Sequence, residues 1–233
     1  MALTLRGTAT SNAINGGNVT VTHPGGTAAN DVMFLIYAFA SSDNVNDNIA
    51  ASTSGSTELA DLFQNDNREC QLAAYRKVMP STPDSSFVVT GGGSASDAAG
   101  AVEHMWTGVD TTTPEDATTT TAGNINSSIP DPPSITTVTD NAIVIAGGAG
   151  TFSATRDTAV TQPAGYSNQL NDGANDTNAI TVVMASKLVA SHGAENPGAW
   201  SSWTDAVTES WNAVTIAVRP AADADTLFAQ AVM

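Results

Sequence analysis

Apolar and polar positions alternate along this chain in short runs, and Gly, Pro, Asn or Asp breaks each run. That rhythm predicts strands and turns. The clearest phrase is Val102-Glu103-His104-Met105-Trp106-Thr107-Gly108-Val109-Asp110, followed by Pro114-Glu115-Asp116, which alternates, stops at a glycine and turns through Asp and Pro. The same grammar recurs in Trp211 to Pro220, closing on a proline that cannot continue a central ladder. Behind Asp31, the unbroken apolar run Val32 to Phe39 predicts a core strand buried on both faces.

Leu3 to Thr8 and Asn18 to Thr22 are expected as edge strands joined through Asn15-Gly16-Gly17. Gln71 to Met79, Phe87 to Thr90, Ala142 to Ala146 and Thr181 to Val189 are further strands, the third of these ended by Gly147-Gly148. Ser41 to Thr57 reads as a long polar loop, and Thr111 to Pro133 as an extended surface crossing with little regular structure. No helical period and no fixed repeat is apparent. The expected fold is all-β: an antiparallel β-sandwich of jelly-roll or Greek-key type, one domain over residues 1–220, with an extended C-terminal arm over 221–233.

Composition narrows the function. The 233 residues are 41% hydrophobic, enough for a substantial core, and only 13% charged. A formal net charge of -16 repels phosphate backbones and anionic headgroups, so neither nucleic acid nor a membrane is an expected partner. The N-terminus lacks a basic segment with a long apolar run, and no stretch reaches membrane-spanning length, so no leader or span is expected. Cys70 lies within an apparent strand and reads as a small buried hydrophobe.

Candidate chemistry is sparse. His23, His104 and His192 share no ligand spacing, which argues against a zinc site, and His104 reads as a solvent-side strand residue. The Gly-x-Ser-x-Gly elbow is absent. Glu103, Asp110, Glu115, Asp116, Asp205 and Glu209 offer carboxylates for sugar hydrolysis, but nothing selects a pair, so no catalytic residue is assigned. The acidic loops Asp43 to Asn48 and Asn171 to Asp176 could take calcium through oxygen ligands, although Asn and Asp also serve turns. No other cofactor is expected. Trp200 and Trp203 are either a stacking platform for sugar rings or plugs at the end of a sandwich.

Asp31 before its apolar strand, the phrase Trp106-Thr107-Gly108-Val109-Asp110 with Pro114, and the closing strand Ala213 to Pro220 resemble a diffuse group of β-sandwich proteins of tailed phages and bacteria. That group includes capsid decoration proteins and tail-fibre modules. The resemblance implies a non-enzymatic virion structural protein on the capsid surface, binding the major capsid protein and its own copies as a homotrimer. The arm, with Leu227, Phe228, Val232 and Met233, would then pack on a neighbour. The alternative is a carbohydrate-binding module of a tail fibre or secreted protein, using Trp200 and Trp203. A glycan-cleaving enzyme on the same sandwich is a third reading.

Overall fold

The structure, a computed structural model, describes residues 1–14, 18–43, 45–65, 68–91, 97–125, 129–203 and 210–222. Among the described residues there are fifteen strands and no helix. The first half of the chain holds β1 (Thr4–Ile14), β2 (Val19–Thr22), β3 (Val32–Ser41), β4 (Ala50–Ala51), β5 (Ser56–Gln64), β6 (Glu69–Val78), β7 (Ser86–Thr90) and β8 (Ala98–Thr107). The second half holds β9 (Glu115–Asn124), β10 (Ile135–Thr136), β11 (Ala142–Phe152), β12 (Ser167–Asp172), β13 (Ala179–Val189), β14 (Ala194–Glu195) and β15 (Trp211–Val218).

Two five-stranded antiparallel sheets, ordered β1-β8-β3-β6-β5 and β12-β13-β11-β15-β9, pack face to face as a β-sandwich. Phe34, Ile36, Leu72 and Val102 from the first sheet meet Ile145, Val182, Met184 and Val214 from the second. The outer face of the first sheet is covered by the small sheet β2-β7-β4, over Met33, Leu35, Tyr37 and Phe39. The outer face of the second carries its own cluster of Val144, Ala146, Phe152, Val160, Tyr166, Trp200 and Trp203. Four layers explain why every residue of β3 and β11 is buried: each strand has a core on both sides.

Several expectations are corrected. β1 pairs with β8 and β2 with β7, so the two N-terminal strands do not form a hairpin with each other. β9 fills half of the stretch read as a surface crossing, because its Thr-rich sequence pairs along β15. β5 and β12 were missed in sequences too polar to advertise a core. β11 runs on through Gly147 and Gly148 to Phe152, since a Cβ at Gly147 would collide with Ile36 of the facing sheet.

The two halves repeat one another. Read from opposite edges, both large sheets have the order first, last, second, fourth, third of their own five strands. The accessory pairing repeats as well: β2 pairs β7 as β10 pairs β14, and Ala50 opposite Thr90 is matched by Thr161 opposite Ser201. Register agrees to the residue. Thr57 opposite Arg76, then a bulge, then Ala60 opposite Ala74 becomes Ser167 opposite Ser186, a bulge, then Leu170 opposite Met184. Asn30 and Asn141, with φ 66 and 61, precede the two central strands in the left-handed conformation that Asn tolerates. At the junction, Asp110 N donates to Arg219 O at 3.0 Å and Ala221 N donates to Gly108 O at 2.8 Å, an approximate two-fold pair of bonds around Val109 and Pro220.

Candidate functional site

The edge strands β5 and β9 lie against each other across the sandwich and leave an open groove of about 490 Å³. Its walls carry Glu58, Thr113, Glu115, Asp116, Thr118, Thr119 and Arg219. Each charge has a local cause. Arg76 comes up from β6 and meets Glu115 Oε1 at 2.5 Å, while Arg219 at the end of β15 reaches Asp116 Oδ1 at 3.4 Å. Asp116 sits in the bulge that separates Glu115 from Ala117 along β15 and is buried. Its carboxylate accepts the amides of Val138 at 2.6 Å and Thr139 at 3.1 Å, and the Thr139 hydroxyl at 2.5 Å. With these three bonds Asp116 anchors the Val138–Thr139 backbone. Glu58 accepts from the Tyr75 hydroxyl at 3.4 Å, and partial burial raises its carboxyl above the ordinary range. The groove thus offers carboxylates, the Arg219 guanidinium and threonine hydroxyls, the donors and acceptors that hold a polar ligand.

The other carboxylates proposed from sequence are dispersed. Glu103 is buried on the outer face of the first sheet, where His23 Nδ1 lies 2.9 and 3.0 Å from its two oxygens. Burial raises the Glu103 carboxyl, and the bond to His23 pulls it back. Asp110 caps the amides of Thr112 and Thr113, and Asp205 and Glu209 lie outside the described residues.

His104 is fully buried between the sheets and not on a solvent face, because its even-numbered side of β8 is the sandwich interior. Its Nε2 donates to the Asn168 carbonyl at 2.9 Å, and burial pushes the imidazole down to about 4. His192 is exposed against Asp140 at 2.7 Å. Cys70 is buried with its thiol toward Ala149 O at 3.6 Å, and burial pushes it up to about 12.

Trp200 and Trp203 are 1% and 7% exposed, and Trp203 stacks on Phe152 at 5.9 Å between ring centroids. The exposed platform of the glycan reading is not formed by these two indoles: β11 and β13 present an apolar outer face that must be covered, and they cover it. Leu227, Phe228, Val232 and Met233 lie outside the described residues, as does Asn44 in the first acidic loop. In the second acidic loop, Asn171 and Asn175 accept from Arg156, and Asp172 accepts from Asn12 and the Gly173 amide. Among the described residues no group of three or more His, Cys, Asp or Glu side chains stands as a metal site.

The groove could not be foreseen, because it exists only where two edges distant in sequence meet. The one available signal was Glu115-Asp116 opening a strand-like Thr run. The fold and its groove define the class: an antiparallel β-sandwich made of two like halves, with one polar edge open. No protein family, no curated protein and no solved structure matches this chain.

Proposed function

We propose that the chain is a non-enzymatic structural protein of a virion. In this reading it decorates the capsid surface, binding the major capsid protein and its own copies as a homotrimer. The observation that carries the reading is the surface. The terminal strands β1, β9 and β12 expose mostly small uncharged polar side chains, as at Thr4, Thr8, Thr10 and Asn12 of β1 around the single charge of Arg6, while β5 adds Glu58 and Asp61, over a body of net charge -16. Sheet edges are natural sites of strand-to-strand contact, and repeated copies multiply a modest contact into a stable lattice. The phrases at Asp31, at Trp106 to Asp110 with Pro114, and at Ala213 to Pro220 support it through their resemblance to phage sandwich proteins.

Size-exclusion chromatography with light scattering, with and without candidate capsids, tests the reading. A trimer that co-sediments with capsids is expected; a monomer indifferent to them overturns it. Deleting residues 221–233 is expected to weaken that binding, and unchanged binding would remove the arm from the proposal.

The groove between β5 and β9 favours a second reading, a carbohydrate-binding module, with Glu58, Glu115 and Arg219 in place of stacked tryptophans. Retardation on a glycan column that is lost on Arg219→Ala would support it.

A further inference from the structure

The end of the first sheet, opposite the Val109–Pro220 junction, gathers oxygen acceptors without matching donors. Glu69 opens β6 on the sheet's outer face and is 1% exposed, with the Asp43 side chain and the Val45 amide beside it but no donor in hydrogen-bond geometry on either carboxylate oxygen. Gln71, two residues on and fully buried, donates its amide to Val45 O at 3.1 Å and leaves Oε1 unpartnered. Asp43, on the connection after β3, accepts the Val45 amide at 3.2 Å and the Ser41 hydroxyl at 3.2 Å, and its charge bears directly on Glu69. Asp47 Oδ2 is a further buried oxygen without a partner. Burial first, then Asp43 and Asp47, push the Glu69 carboxyl up to about 7, and the Val45 amide pulls the other way.

The repeat supplies an internal control. Glu69 lies opposite Ser41 on β3; at the matching place in the second half, Ala179 lies opposite Phe152. Gln71 opposite Phe39 is matched by Thr181 opposite Gly150. The fold closes this end with small or apolar residues in one half, so it does not require a buried carboxylate in the other. Buried acceptors clustered without donors are costly and call for a positive species.

We propose that this end binds a divalent cation of the calcium class, held by the Glu69 and Asp43 carboxylates and the Gln71 Oε1. Oxygen-only ligation, including an amide oxygen, suits calcium, which accepts irregular sets completed by carbonyls and water, better than magnesium, which holds its own water shell. Asp43 is exposed and gives the ion its way in.

The test uses the full chain, stripped with chelator and titrated with calcium chloride by calorimetry and thermal melting. Calcium is expected to bind and raise Tm, with equimolar magnesium giving a much smaller rise. Glu69→Gln and Asp43→Asn are each expected to weaken binding about tenfold or more, since ligand charge sets calcium affinity. Asp176→Asn, in the other acidic loop, should leave it unchanged. The calcium-free melt of Glu69→Gln reports that the variant is folded. No binding up to about 10 mM calcium, beyond the weak extracellular range, overturns the proposal, as does wild-type affinity in folded Glu69→Gln or loss of binding only in Asp176→Asn.

Discussion

Ile36 and Gly147 occupy the same position in the two halves of the chain, and they touch. Ile36 pairs with Ala74 and Val102 in its sheet, and Gly147 with the matching Met184 and Val214. Where the two central strands face each other, the Ile36 side chain fills the space that a Cβ on Gly147 would need. Two identical large residues would clash at a self-contact of this kind, and the chain resolves it with a knob in one half and a hole in the other.

Gly147→Ile is therefore expected to destabilise strongly, beyond the ~1–3 kcal/mol of ordinary overpacking. Ile36→Gly should cost at least the ~2–5 kcal/mol of a large-to-small change. The double variant, which moves the knob to the other half, should recover much of the sum of the two losses. Chemical denaturation of the four proteins measures the coupling; strict additivity would contradict the facing geometry.

The Met1 ammonium donates to Ala221 O at 2.8 Å, so the chain returns to its starting point just as Asp110 runs on into Thr111. A circular permutant that joins Ala222 to Met1 and opens between Asp110 and Thr111 is expected to fold with a near-native melting transition. Loss of cooperative melting would show that the connector between the halves is essential.

Burial, opposed by the bond to Asn168 O, lowers His104 to about 4 from an ordinary 6.5. Between those values the unfolded chain takes up a proton that the folded chain refuses, so this contribution is intact above pH 6.5 and stability falls as pH drops toward 4. At ~1.4 kcal/mol per pH unit the loss over that leg is up to about 3 kcal/mol. His104→Gln removes the titrating group, and its denaturation midpoint should change less with pH across that window than the wild type's.

Cys70 is buried, with its thiol pushed up to about 12 by burial. In native buffer near pH 8 it is expected to resist a disulfide reagent and to react at the rate of unfolding, with full reaction in denaturant. Rapid native labelling would place the thiol at a surface.

Residues whose local pattern matches their tertiary role were legible directly. The apolar run Val32 to Phe39 and the phrase Trp211 to Val218 are the core strands β3 and β15, since burial on both faces leaves its mark in consecutive residues. The all-β antiparallel sandwich, the breaks at Pro80 and Gly108, and the buried Cys70 follow from the same local physics, whereas the break expected at Gly147-Gly148 does not occur. Edge strands β5, β9 and β12 left a faint mark because one side of each faces water. What only tertiary structure decided is what depends on two distant segments meeting: the bare Gly147 under Ile36, the burial of His104 and Trp200, the groove across β5 and β9, and the orphaned Glu69. The repeat itself was hidden for that reason, since hydrogen-bond register holds the two halves alike while side chains such as Ile36 and Gly147, or Glu69 and Ala179, differ to fit opposite sides of one contact or separate ends of the sandwich.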